Sequence, residues 1–221
     1  MDAVAAHLVG CRRLLFVPFA SADHEGYTAS VRRALEPLGM TVTGAHEGAA
    51  AQLLDSADAV FVGGGNTFRL ARDLHRLGLM TGIREHVVAG MAYLGSSAGT
   101  NVAGPSLRTT NDMPIVQPPS FSTVGLIPFQ INPHYLDPDP ASIYQGETRE
   151  KRIEEFLEEN DVPVLGIREG TWLRVADGAC TLDGLPAGGR LFRRGEKAAD
   201  VAIGEDLSFL LGVEPAFDTA Y

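Results

Sequence analysis

Short apolar runs alternate with amphipathic stretches along the first hundred residues. Leu14-Leu15-Phe16-Val17 is a continuous apolar run closed by Pro18, the pattern of a buried strand in a parallel sheet. Tyr27 to Leu38 places Val31, Leu35 and Leu38 at helical spacing, and Gly39 ends it. Met40 to Val42 starts a second strand. Ala49 to Leu54 predicts a short helix, and Ala59-Val60-Phe61-Val62 a third strand. Gly63-Gly64-Gly65 breaks that strand, and Asn66 or Thr67 can cap a helix running through Leu77. A further helix, about Thr81 to Ala89, precedes a strand from Met91 to Gly95. This order predicts an α/β fold: a three-layer sandwich around a mostly parallel sheet, with right-handed crossovers.

Beyond residue 104 the pattern changes. Pro105 to Pro133 is rich in Pro, Ser and Thr, with one strand expected at Gly125 to Ile131. Asp137-Pro138-Asp139-Pro140 predicts a loop, and Glu147 to Leu157 an amphipathic helix. Val162 to Arg193 reads as several short strands with glycine turns, expected to form a small antiparallel region toward the C-terminus. No internal repeat or linker divides the chain, so its 221 residues are read as a single domain.

Composition narrows the function classes. A formal net charge of −10 argues against a nucleic-acid partner, which demands a basic footprint. No stretch reaches the roughly 18 unbroken apolar residues of a membrane helix, and Met1 to Gly10 carries Asp2 without a basic region, unlike a signal peptide. Two cysteines, Cys11 and Cys180, exclude a disulfide framework and fit a reducing cytoplasm.

The chemistry concentrates at Gly95-Ser96-Ser97-Ala98-Gly99. This G-x-S-x-G lies where a predicted strand passes into a predicted helix, the setting of a nucleophile elbow. Small residues two before and two after the serine allow the tight turn, and the Ala98 N–H points to where an oxyanion forms. Gly63-Gly64-Gly65-Asn66 ends another strand. It lacks the third glycine of a dinucleotide fingerprint, Phe68 standing there, and no Walker lysine follows. Beside the serine turn, its backbone can supply a second oxyanion donor.

A serine nucleophile needs a base. Of six histidines, His7, His24, His46, His75, His86 and His134, His75 and His86 lie in predicted helices, and His7 and His24 lie near the start without a supporting motif. His134, in Asn132-Pro133-His134, follows a predicted strand at the sheet edge where open α/β proteins place their sites. Its orienting carboxylate is to be sought among Asp112, Asp137, Asp139 and Glu169. Metal chemistry is not expected: there is no HExxH, CxxC or clustered His/Cys spacing.

At these residues the chain resembles peptidase E, the α-aspartyl dipeptidases, serine hydrolases of the class I glutamine-amidotransferase-like fold. The resemblance rests on Val62-Gly-Gly-Gly-Asn-Thr-Phe68, Gly95-Ser-Ser-Ala-Gly-Thr-Asn101, Arg108-Thr-Thr-Asn-Asp-Met-Pro-Ile-Val116, Gln130-Ile-Asn-Pro-His134, Gly146-Glu-Thr-Arg149 and Gly166-Ile-Arg-Glu-Gly-Thr-Trp172, and spans about residues 14 to 195. It implies Ser97 as nucleophile, His134 as base and Glu169 as the orienting acid. The order Ser, His, acid also differs from the Ser, acid, His of α/β-hydrolases. Two departures stand out. Ser96 occupies a position often aromatic in the family, and many relatives begin with an extra strand and helix turn before the equivalent of Met1, so a short N-terminus is expected. The tail from Lys197 to Tyr221 carries none of the motifs of this resemblance, and its apolar run Leu207 to Val213 is expected to pack on the body or on a partner subunit of a homodimer.

The implied activity is hydrolysis of dipeptides with N-terminal aspartate, without cofactor or metal. The oxyanion would be held by the N–H groups of Gly65 and Ala98. Arg149 is the first candidate for the aspartyl carboxylate, with Arg108 and Arg168 as alternatives, and Asn66 and Asp112 complete the expected substrate contacts. Two other readings share the nucleophile turn: a cyanophycinase-like hydrolase of β-aspartyl polymers, and an inactive binding protein on the same fold. The Thr109-Thr-Asn-Asp112 and Gly146-Glu-Thr-Arg149 stretches favour the dipeptidase over the first, and the three triad positions favour an enzyme over the second.

Overall fold

The computed structural model describes residues 2–138 and 146–219. The chain divides into two compact units: Met1–Ala103 with Asp112–Leu126, and Gly104–Asn111 with Ile127–Tyr221.

The first unit is built on a four-stranded parallel sheet. Its strands β1 (Arg13–Val17), β2 (Thr41–Gly44), β3 (Ala59–Val62) and β4 (Ala92–Gly95) lie in the order β2-β1-β3-β4. The connecting helices are α2 (His24–Leu35), α3 (Ala50–Asp55), α4 (Thr67–Arg76) and α5 (Leu79–Val88), with α1 (Asp2–His7) before β1 and α6 (Ala98–Asn101) after β4. Leu14 and Phe16 join Val31 and Leu35 of α2 in one core cluster. Leu15 and Val17, one step out of phase, point to the opposite face and are equally buried. Burial on both faces is why β1 reads as an unbroken apolar run, and each such side chain contributes about 1.5–3 kcal/mol.

Helix α2 starts three residues earlier than its apolar spacing predicts, because Asp23 caps it by accepting from the Gly26 N–H at 2.8 Å. It ends in a 3-10 turn, Glu36–Leu38, closed by Gly39 in the left-handed region.

The second unit carries a mixed sheet in the order β10-β9-β6-β5. Strands β5 (Gln130–Pro133) and β6 (Val164–Ile167) are parallel, and β9 (Gly189–Phe192) and β10 (Ala199–Val201) continue the sheet antiparallel. Helix α7 (Arg149–Glu159) lies between β5 and β6 in sequence. A separate antiparallel hairpin, β7 (Thr171–Ala176) and β8 (Ala179–Gly184), turns at Asp177-Gly178, both with positive φ as a tight hairpin turn requires. The expected parallel sheet and C-terminal antiparallel strands are thus both present.

One strand boundary also differs from the expectation, and the tail finds its place. The strand expected from Gly125 begins only at Gln130. Val124 and Leu126 give their N–H groups to Val102 and Ala103, Gly125 has φ +65°, and Pro128 offers no donor, so this stretch is unavailable to a ladder. The tail has a definite place: Leu207 and Leu210 are fully buried with Cys180, Leu182 and Leu191 in the core of the second unit. Among the described residues no helix is long and apolar enough to cross a membrane.

Candidate active site

Ser97 stands between β4 and α6 with φ 51° and ψ −106°, a conformation that non-glycine residues rarely adopt. Holding it costs on the order of 1–3 kcal/mol, and such strain concentrates at functional turns. The flanking glycines explain how the turn closes. A methyl group on Gly99 would lie 2.0 Å from the Val62 carbonyl oxygen of β3, and one on Gly95 would lie 2.7 Å from the Gly99 carbonyl. The turn is tied further by Tyr93 Oη donating to the Gly99 carbonyl at 2.6 Å and Thr100 Oγ1 to the Gly95 carbonyl at 2.9 Å. Ser96, the neighbouring serine, is exposed.

The glycine turn after β3 lies against this elbow. A Cβ on Gly64 would be 3.0 Å from that of Ser97. Three of the four amides from Gly63 to Asn66 are occupied. Gly63 donates to the Val17 carbonyl at 3.0 Å, Gly64 to Tyr27 Oη at 2.9 Å, and Asn66 to the Ala20 carbonyl at 3.0 Å. Among the described residues the Gly65 N–H has no acceptor, and neither does that of Ala98. Gly65 has φ +133°, and a Cβ there would meet the Ala20 carbonyl oxygen at 2.5 Å, so only glycine fits. Tyr27 is a residue the sequence reading did not single out. Its hydroxyl fixes the turn from 37 positions away, a distance over which local pattern carries no signal.

Asn66 and Asp112 cap helix α4 and fasten the segment that follows residue 111. Asn66 Oδ1 accepts from the Arg69 N–H at 3.0 Å and its Nδ2 donates to the Met113 carbonyl at 2.9 Å. Asp112 Oδ2 accepts from the Thr67 N–H at 2.7 Å and its hydroxyl at 2.6 Å.

The second unit brings His134, Glu169 and Arg149 together. Parallel pairing of β5 with β6 places Pro133 opposite Ile167, so both chains leave the sheet at the same edge. His134, with φ 56°, hydrogen-bonds through Nδ1 to Glu169 Oε1. With the carboxylate as acceptor, Nδ1 carries the proton and Nε2 is the nitrogen left to accept one. Arg149, the first residue of α7, donates from Nη1 to the carbonyls of His134 and of Pro133, the latter at 3.2 Å. Its pKa is lowered, chiefly by burial.

The competing candidates are engaged elsewhere. Arg168 clamps Asp137 with two bonds of 2.7 Å and Asp200 with one of 2.8 Å, and gives Nη1 to the carbonyls of Ala187 and Gly189. The Arg168 guanidinium holds the Asp137 carboxyl below the usual carboxylate range. Arg108 binds both oxygens of Asp218, at 2.9 and 3.1 Å, and Asn160 at 3.0 Å. Asp139 lies outside the described residues. Two buried amides support the base turn. Gln130 Nε2 donates to the Ser106 carbonyl at 2.6 Å, and Asn132 Nδ2 to that of Thr109 at 2.8 Å.

One grouping of metal-ligand types occurs among the described residues: Glu25, His46 and Glu47. Glu47 already receives Arg32 on both oxygens, at 2.5 and 2.6 Å, and the Gly44 N–H at 2.8 Å, so the grouping is an ion-pair cluster.

The chain is similar to known peptidases. The family model of peptidase family S51 matches residues 3–182. The chain is 60% identical over 220 residues to the peptidase E of Streptomyces coelicolor, covering 99% of this chain and 90% of that protein. It is 50% identical over 202 residues to a Drosophila melanogaster protein named "Probable alpha-aspartyl dipeptidase", covering 90% and 84%. A solved structure, a peptidase from an acI-B1 Actinobacterium, is similar in fold at a TM-score of 0.65 and 19% identity, covering 94% of this chain and 90% of that one. Matched over most of its length, the chain belongs to peptidase family S51 and is a serine peptidase.

Proposed function

We propose that this peptidase is a dipeptidase that removes N-terminal aspartate from Asp-Xaa, using Ser97, His134 and Glu169 as its triad. The observation that carries the reading is the His134–Glu169 hydrogen bond, formed by two residues at positions of the peptidase E motifs. Ser97 Oγ attacks the aspartyl carbonyl as His134 Nε2 takes its proton. The N–H groups of Gly65 and Ala98 receive the oxyanion, the two donors in these turns that the chain itself leaves unused among the described residues. His134 then protonates the leaving amine, and water attacks the acyl-enzyme by the reverse sequence. Glu169 keeps the proton on Nδ1 and stabilises the imidazolium.

For the substrate carboxylate, Arg149 is favoured over Arg108 and Arg168. The other two already hold carboxylates of the chain, whereas the acceptors of Arg149 among the described residues are carbonyl oxygens. A partly desolvated guanidinium without a bonded acid favours an incoming carboxylate. Asp112 is assigned to the substrate ammonium, and Asn66 acts through the turn it fixes. Incubation with Asp-Leu, β-Asp-Leu and aspartyl polymer tests the proposal. Free aspartate is expected from Asp-Leu alone and none from Ser97→Ala. Release from the β-linked substrates only would overturn it.

A further inference from the structure

We infer that an apolar groove along α4, the helix that follows the proposed oxyanion donor Gly65, receives the side chain of the second substrate residue, so that the enzyme favours large apolar Xaa. This rests on the dipeptidase reading above. The groove encloses about 390 Å³ between Phe68 of α4 and the strap that follows Asp112, where Pro114, Val116, Pro118, Pro119 and Phe121 line it. No charged side chain takes part.

Its position follows from the fold of the first unit. Strands β3 and β4 are adjacent and parallel, so α4 and α6 begin at the same sheet edge. Gly64 touches the Ser97 turn, Gly65 is the proposed oxyanion donor, and Phe68 lies three residues further on. The strap runs along α4 and is held at both ends of that helix, at its start near the sheet edge and in its last turn. Asn66 and Thr67 bind Met113 and Asp112, and His75 Nε2 donates to the Ser122 carbonyl at 2.9 Å.

The chemistry selects the occupant. A groove without a cation has nothing to offer an aspartyl side chain, so it suits the leaving residue. Three prolines stiffen the strap, which reduces the entropy lost on binding. Yet it leaves Phe121, which lines the groove, 49% exposed, apolar surface that a substrate side chain would remove from water.

The test compares kcat/KM for Asp-Ala, Asp-Leu, Asp-Phe and Asp-Lys. Wild type is expected to prefer Asp-Leu and Asp-Phe over Asp-Ala by about tenfold, the lower end for an apolar pocket because this one is open. Phe121→Ala should shrink that ratio toward one, and the half-exposed position makes misfolding no obstacle. Phe121→Glu should invert the preference toward Asp-Lys. Equal rates for Asp-Ala and Asp-Leu in wild type, or an unchanged ratio in both variants, would overturn the groove while leaving the dipeptidase reading intact. So would a Phe121→Glu variant that alters only the oligomeric state, which would mark the strap as a self-association surface. No turnover of any Asp-Xaa would overturn both.

Discussion

Around Ser97 the chain works by leaving side chains out. Gly99 has no room for a methyl group against Val62, Gly65 none against Ala20, and the serine itself is forced to positive φ. Around His134 the chain works by adding large charged side chains. Arg149 grips the carbonyls of residues 133 and 134, and Arg168, the neighbour of Glu169, clamps Asp137 three residues past the histidine. The nucleophile must sit in a fixed, strained turn, which close backbone packing enforces. The imidazole must change charge during the reaction, and a hydrogen-bonded carboxylate with arginine-braced loops steadies it through that change. The first device should be insensitive to pH and intolerant of volume; the second should be the reverse.

The largest expected effect is at Ser97. Ser97→Ala and Ser97→Gly should both lose turnover by about 10⁶-fold, as when a serine nucleophile is removed elsewhere. Their stabilities should differ. Glycine tolerates φ 51° and alanine does not, so Ser97→Gly should unfold at higher urea than Ser97→Ala. Equal midpoints would show that the turn is not strained.

Gly99→Ala should come next. Its new methyl must displace the β3 backbone, and overpacking of this kind costs about 1–3 kcal/mol or more. Activity should fall more than tenfold because the elbow opens; a variant with wild-type urea midpoint and turnover would refute the packing argument.

Arg168→Ala tests the other device. The clamp is not in contact with the reacting atoms, so Arg168 is a positioning residue. A displacement of about 1 Å in the base can cost about 10²-fold, and the loss should appear in kcat with KM little changed. Arg168→Lys should restore part of it, since a point charge lacks the two-pronged geometry. An equal loss in both variants, confined to thermal stability, would reduce the clamp to scaffolding.

These devices differ in how far they could be read from sequence. The elbow is local: strand, small residue, serine, small residue, helix all fall within a dozen positions, and each has one steric meaning. The β1 run and the capped α4 were legible for the same reason. The Arg168–Asp137 clamp spans 31 positions, and the sequence offers the two residues only as separate site candidates, with nothing to join them until β5 and β6 pair. The buried amides of Gln130 and Asn132 are hidden likewise, because a polar residue in a strand gives no sign of the carbonyl it will meet. The misplaced start of β5 has another cause. Apolar content from Gly125 to Phe129 is strand-like, but the Leu126 amide is spent on the Ala103 carbonyl just past α6, Gly125 has positive φ and Pro128 has no amide hydrogen.

The smallest expected effect separates the devices by pH. Asp137 has a folded pKa depressed by Arg168, below its unfolded value of about 3.9. Its contribution to stability is therefore fully present above that unfolded value and is lost as pH falls through the folded one. The pair is half exposed on the carboxylate side, so solvent screening keeps the contribution within about 1 kcal/mol. Urea midpoints of wild type and Asp137→Asn should differ slightly at pH 7, and the difference should narrow as pH falls below about 3.9. The deficit of Gly99→Ala, which involves no titrating group, should stay constant over the same range. If the Asp137→Asn deficit persists undiminished at pH 3, the clamp acts through packing and not through charge. The contrast between the two turns would then be one of side-chain size alone.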